Sequence, residues 1–460
     1  MKKILNFFFG IFLIFQACSD PKVFEINVPE GQNPYDSLFI QELITGETIA
    51  KLPLNSHQRK FFFPIKQPLL TSFQVKGNES TFLSILEPGS KKELVFDGKD
   101  FNTKNQIADS LNNYIWHSTD EMFSRYGRLI FGGGDPEIVK EKFDSLIAKR
   151  QQYISKSSDQ LTKGELTILT YHNQARANNF LMFYGRIVRG LAPTDSYFDF
   201  VEKFPAFGNE AKSLPDVILY QYEIEYLRKN DSIRSIPSFL ELIESRTADP
   251  DLMNFLKAYY IQSAIEHPSY WRPHQHLFTT DQIKVALDRE KENPYSYLIN
   301  RASNSFFSSM AGVSAYDFEA KRLNDSSFKF SDLRGKLVLI DAWATWCGPC
   351  IQHRPRILEI ASKYSDDPRI AVVMVSVDSE LDKWKSYVSR TNPTSFGYEV
   401  NIPDGMNDTF GDKYLVKAIP KYFLINPEGI IISSDLPEPS LGMEQMIEKE
   451  LEKIKKAQAH

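Results

Sequence analysis

Cys347 and Cys350 are separated only by Gly348 and Pro349, and Trp346 precedes them. The apolar run Leu337-Val338-Leu339-Ile340 shortly before reads as a strand, and the stretch after the pair reads as a helix, so the two thiols stand at a strand-to-helix junction. Thiols at this spacing can close a small disulfide ring, and the first of them lies where helix amides and the helix dipole stabilise a thiolate. Cys347 is therefore expected to attack, and Cys350, one turn inside the helix and more shielded, to resolve the resulting mixed disulfide. Pro349 falls within the first helical turn, where its missing N–H costs nothing. Two alternatives stand beside redox chemistry: an inert structural disulfide, and half of a zinc site, which requires four ligands and finds no further cysteines or well-spaced histidines near the pair.

Other residues point to chemistry less firmly. His267, His274 and His276 cluster among Pro268, Tyr270, Trp271 and Pro273, where packing competes with metal binding. Gly132-Gly133-Gly134 lacks the Lys-Ser/Thr of a phosphate loop and reads as a turn. No Ser-His-Asp set, His-Glu-x-x-His or glycosidase carboxylate pair can be defended from spacing. The chain has 460 residues, 54 Lys+Arg against 59 Asp+Glu and a net charge of −5, with no dense basic block, which argues against nucleic acid as a partner. At 42% hydrophobic and 25% charged it can bury cores, and its length suits about two to four domains.

The remaining cysteine belongs to the N-terminus. Lys2 and Lys3 precede an apolar stretch from Ile4 to Phe15, and Gln16-Ala17-Cys18 ends it. This reads as an export signal, and it resembles a bacterial lipoprotein signal, in which the cysteine after the small residue is lipidated and becomes the mature N-terminus. Phe15 stands where that family prefers Leu. The expectation is cleavage after residue 17 and a lipid anchor on Cys18 at a membrane surface facing an oxidising compartment.

Between leader and thiols the pattern changes twice. Short β-type runs with Pro-Gly and Asp-Gly turns occupy about 23 to 100: Val23–Val28, Ser37–Ile40, Phe61–Ile65, Thr81–Leu86 and Glu93–Phe96. They read as a small antiparallel β domain. Helical periodicity takes over next, with helices predicted near 105–130, 136–157, 162–188, 195–203, 214–229, 235–246, 249–266 and 279–303; Asp135-Pro136 and Thr162/Glu165 mark helix starts. The last segment alternates strands and helices as an α/β sheet does, with Ile370–Val375 as a buried strand, a hairpin around Asn426–Gly429 and an amphipathic 442–456 run.

At Phe328–Lys336, Leu339–Cys350 and Val416–Ile425 the sequence resembles thioredoxin, and more closely the TlpA/ResA-like membrane-anchored thiol-disulfide oxidoreductases, over residues 317 to 458. The resemblance implies that Pro420 follows a cis peptide bond beside the disulfide and that Ile419 offers backbone groups to an extended substrate, with Trp346, Gly348 and Pro349 also on the substrate side. It implies a buried acid at Asp341 near the resolving thiol, the plain alternative being an exposed strand-end aspartate. Trp343 and Trp346 either border the site or simply pack. Pro355 fits a kinked helix, and His353 is read as an exposed helical residue, with proton relay as the other reading. A Gly-Pro pair between the cysteines suggests a couple nearer about −270 mV than about −120 mV, hence reduction of client disulfides, with the Cys347–Cys350 disulfide as the only redox group and no separate cofactor. A membrane thiol electron donor, disulfide-containing clients such as apocytochrome c, and a periplasmic location are implied by resemblance alone. The expected architecture is a signal peptide (1–17), an all-β domain (18–103), an α-helical domain (104–312) and a thioredoxin-like α/β domain (313–460). A rival from a different class is an envelope binding lipoprotein whose cysteine pair only regulates capture.

Overall fold

The computed structural model describes residues 23–28, 37–44, 48–55, 60–65, 68–75, 82–96, 101–104, 106–203, 208–230, 235–266, 279–392, 396–403, 405–406 and 408–458. The N-terminal residues on which the export-signal reading falls, Cys18 among them, and His267, His274 and His276 lie outside these residues. Among the described residues, no helix is long and apolar enough to cross a membrane. The chain forms two compact units, one ending at Leu181 and one beginning at Met182.

The first unit opens with eight strands: β1 (Val23–Asn27), β2 (Ser37–Glu42), β3 (Thr48–Pro53), β4 (Lys60–Pro64), β5 (Leu69–Val75), β6 (Phe82–Leu86), β7 (Lys91–Phe96) and β8 (Phe101–Thr103). They make two four-stranded sheets, ordered β4-β1-β7-β8 and β3-β2-β5-β6. Inward residues of both, among them Ile26, Leu38, Ile40, Phe73 and Leu94, share one apolar core. The pairing is antiparallel except between β1 and β7, which run parallel, a departure from the wholly antiparallel domain expected. Three helices come next: α1 (Ile107–Phe131), α2 (Pro136–Lys156) and α3 (Lys163–Phe183). Asp135 caps α2 by accepting from the Glu137 amide, and Thr162 and Glu165 form a capping box ahead of α3. The Gly132–Gly134 stretch is the turn between α1 and α2, with Gly133 at φ 83°.

The second unit begins with α4 (Asp216–Leu227), α5 (Ile236–Arg246), α6 (Pro250–Glu266), α7 (Thr280–Arg289) and α8 (Ser296–Ser308). The single helix predicted over 279–303 is thus two, because Pro294 cannot continue the ladder and pushes Asn293 out of the helical region. The predicted 195–203 helix is a 3₁₀ segment, Ser196–Lys203. A seven-stranded sheet then forms in the order β10-β9-β13-β12-β11-β14-β15. Its strands are β9 (Glu319–Arg322), β10 (Ser327–Lys329), β11 (Leu337–Trp343), β12 (Ile370–Ser376), β13 (Tyr398–Asn401), β14 (Lys421–Ile425) and β15 (Ile431–Ser433). Helices α9 (Gly348–Lys363), α10 (Leu381–Thr391), α11 (Thr409–Lys413) and α12 (Met443–Gln458) complete the domain. Every residue of β11 and β12 is buried, as a parallel pair at the middle of a two-sided sheet requires. The observed classes, β then α then α/β, are those expected from the sequence.

Candidate active site

Central strand β11 delivers the chain to its C-terminal edge, where Ala344–Trp346 turn it into α9 with Cys347 as N-cap. The turn is held from behind. Buried Asp378 accepts from the Thr345 amide (3.0 Å), the Thr345 hydroxyl (2.7 Å) and the Ser376 hydroxyl (2.7 Å), while Asn401 donates to the Asp378 carbonyl (2.9 Å). These contacts to Asp378 tie the loop before the cysteines to the neighbouring strands. None of them was singled out in the sequence, since they come from three separate strands and loops.

Cys347 and Cys350 are joined, with Sγ–Sγ 2.02 Å and Cα–Cα 5.2 Å. The Cys350 amide points at Cys347 Sγ across 3.2 Å, so the first thiol receives a helix N–H directly. Both cysteines are buried, whereas Trp346 beside them is 63% exposed. Trp343 takes the other reading open to it: it is fully buried, with the Arg354 guanidinium stacked 4.0 Å over its ring. Gly348 and Pro349 form the first turn of α9, and Pro355 lies inside that helix. Across the cleft, the Ile419–Pro420 peptide is cis, and the Ile419 carbonyl oxygen lies 3.7 Å from Cys347 Sγ. Lys421, next in the chain, donates to the Leu415 carbonyl (2.7 Å), and burial pushes its pKa down to about 8.

Asp341 is buried at 4% exposure on β11, on the face that α9 covers. Burial pushes its carboxyl up to about 7, offset in part by Arg354 and aided by Glu399. Arg354 is itself buried and paired with Glu399, which also accepts from Asn392 (3.0 Å). His353 is not the exposed helical residue expected. It is half-buried, with Nδ1 2.9 Å from the Tyr422 hydroxyl and Nε2 3.6 Å from Glu438, because β14 brings an aromatic hydroxyl under that turn of α9. Only the register of β14 against β11 creates this contact, so the local sequence around His353 carried no sign of it. Among the described residues, no group of three or more His, Cys, Asp or Glu is placed to hold a metal ion.

A cysteine pair at the N-terminus of a helix, entered from the central strand of a mixed sheet and faced by a cis-proline loop, defines a thioredoxin-type redox domain. The family described as Thioredoxin-like matches residues 335–431. Thioredoxin 1 of Synechococcus elongatus is 37% identical over 109 residues, which span 23% of this chain and 92% of that protein. The thiol-disulfide oxidoreductase ResA of Oceanobacillus iheyensis is 29% identical over 127 residues, 26% of this chain and 62% of the relative's length. Among solved structures, a thiol:disulfide interchange protein from Bacteroides sp. is 26% identical, with 31% of this chain and 90% of that one covered and a TM-score of 0.28. The chain belongs to the thioredoxin-like family, through its C-terminal domain.

Proposed function

We propose that the protein is a thiol-disulfide oxidoreductase that reduces client protein disulfides in the cell envelope through the Trp346-Cys347-Gly348-Pro349-Cys350 dithiol. The observation that carries this reading is Cys347 Sγ capped by a helix amide and bonded to Cys350 beside the Ile419 carbonyl. In the reduced form the Cys347 thiolate attacks one sulfur of a client disulfide. The client S–S bond breaks, one client thiolate leaves, and a mixed disulfide forms on Cys347. Cys350 gives its proton to the Asp341 carboxylate and attacks Cys347 Sγ. The internal disulfide forms, the mixed disulfide breaks, and the second client thiolate leaves, so the client gains two electrons and the Cys347–Cys350 pair loses them. An acid held near neutrality is suited to taking that proton at the working pH.

Ile419, beside cis-Pro420, supplies main-chain groups to an extended client segment, while exposed Trp346, with Gly348 and Pro349, offers the rim against which it lies. Lipidation at Cys18 holds the protein at a membrane facing the periplasm, a membrane thiol carrier returns the electrons, and apocytochrome c is one client of suitable chemistry. No cofactor beyond the cysteine pair enters the cycle. The test is insulin reduction with dithiothreitol as electron source: turnover by the wild type and its loss in Cys347→Ser supports the enzyme. Absence of turnover in the wild type, with ligand capture intact, supports instead a binding lipoprotein whose cysteines regulate.

A further inference from the structure

Tyr422 stands directly opposite Asp341 in the antiparallel β11–β14 ladder. Opposite residues of such a ladder share a face, with Cβ atoms about 5 Å apart, so the tyrosine ring and the carboxyl are neighbours. Both are 4% exposed. Helix α9 covers this face and contributes Cys350, His353 and Arg354; β13 contributes Glu399, and β12 places the apolar Met374 beside Asp341. On the side of β14, Tyr422 is the residue paired with Asp341, and it is itself buried. Its hydroxyl meets His353 Nδ1 at 2.9 Å, and the far nitrogen of His353 faces the exposed carboxylate of Glu438 at 3.6 Å. That carboxylate favours the tautomer with its proton on Nε2, leaving Nδ1 to accept from the Tyr422 hydroxyl. The ring is thus pinned at its tip by a helix residue and at its root by the sheet. Burial, then the charge of Asp341, makes the Tyr422 hydroxyl harder to ionise, so the phenol and the acid sense one another electrostatically.

We propose that Tyr422, held in place by His353, is a positioning latch that closes Asp341 off from water and thereby sets the pH at which Cys350 can hand over its proton. This rests on the oxidoreductase reading and deepens it. The two-cysteine motif places the sulfurs, and a residue outside that motif determines how strongly the acid beneath them holds a proton. With the ring in place the carboxyl is desolvated and titrates near neutrality; with the ring removed, water reaches it and it returns toward the ordinary carboxylate range. Tyr422 and His353 exchange no proton with the thiols and act only through Asp341.

The test reads the acid itself. In the full chain, oxidised and labelled with carboxyl-¹³C aspartate, the Asp341 resonance is assigned by its loss in Asp341→Asn and titrated by NMR. Tyr422→Ala is expected to lower the midpoint by about one pH unit or more. Tyr422→Phe and His353→Ala, which break the same hydrogen bond and keep the ring, are expected to give smaller and equal downward shifts that do not add in the double variant. The acid limb of the pH profile for the resolving step moves with the same order of variants. An unchanged midpoint in Tyr422→Ala overturns the latch; if that variant does not fold, unchanged midpoints in both milder variants do so. Because the titration needs no turnover, a wild type that fails to reduce insulin defeats the oxidoreductase reading and leaves the latch to be judged by its own measurement.

Discussion

Asp341 titrates near pH 7 in the fold and near 3.8 in an unperturbed chain, so folding favours its protonated form. The stability associated with that proton is fully present below about pH 4 and is lost as the pH rises through about 7, where the buried carboxyl must ionise. Asp341→Asn, neutral at every pH, is therefore expected to match the wild type near pH 4 and to exceed it by up to about 4 kcal/mol above pH 8, read by urea unfolding of the oxidised protein. Equal stabilities at both pH values would remove the buried charge from the account. The same variant should slow the resolving step, since the neutral amide cannot take the Cys350 proton. The cysteine pair was legible from its own spacing, whereas the burial of Asp341 and the cis bond before Pro420 were implied only by the resemblance of the surrounding segments to a known family. His353 was misread, and Tyr422, Asp378 and the Arg354–Glu399 pair were not singled out at all. Their partners lie 69, 33 and 45 residues away in the chain, and only sheet register brings them together.

At the scale of elements, one carboxylate of the N-terminal unit ties α1 to three strands. Asp109, near the start of α1, accepts from the Ser84 hydroxyl on β6 (3.1 Å), the Ile85 amide (2.9 Å), the Thr103 hydroxyl on β8 (2.6 Å) and the ammonium of Lys92 on β7. Lys92 and Asp109 are only 2% and 1% exposed, so removing either leaves a buried charge without its partner. Asp109→Ala is expected to cost about 3–5 kcal/mol, measured by the denaturant midpoint of the N-terminal unit, and a cost below about 1 kcal/mol would mean that Lys92 finds water. This network also explains what the sequence hid. Strand β5 and much of β6 are buried on both faces, one against the opposing sheet and one against α1, and Thr71, Ser72 and Ser84 interrupt their apolar runs. Strands with satisfied polar residues inside lose the alternation by which strands are recognised, and β5 went unseen; so did β3, mostly solvent-facing, and the three-residue β8. Elements with their own punctuation, such as the capped starts of α2 and α3 and the apolar run Ile370–Val375 of β12, were readable to within a few residues.

Across the whole molecule, the redox sheet shares its compact unit with α4–α8. The Ser308 hydroxyl at the end of α8 donates to the Lys413 carbonyl (3.0 Å), and amides of Gly312 and Ala315 bond to Ile431 and Gly429 carbonyls. Glu266, at the end of α6, has its pKa raised by burial and is drawn back down by Lys417, two residues before Ile419. The helices thus reach the loop opposite the thiols. On the proposed function, a client is met far more often if it and the thiols share a membrane surface, because a tether replaces bulk concentration with a local one. In cells, Cys350→Ser should hold clients as mixed disulfides on Cys347, since the resolving sulfur is gone. Adding Cys18→Ser is expected to lower the recovery of membrane-bound clients at least about tenfold while leaving adducts with soluble insulin in vitro unchanged. Mixed disulfides quantified by mass spectrometry after thiol quenching supply the measurement. Equal recovery with and without Cys18 would mean that the chain reaches its clients by free diffusion, and the lipid would then have no part in client encounter.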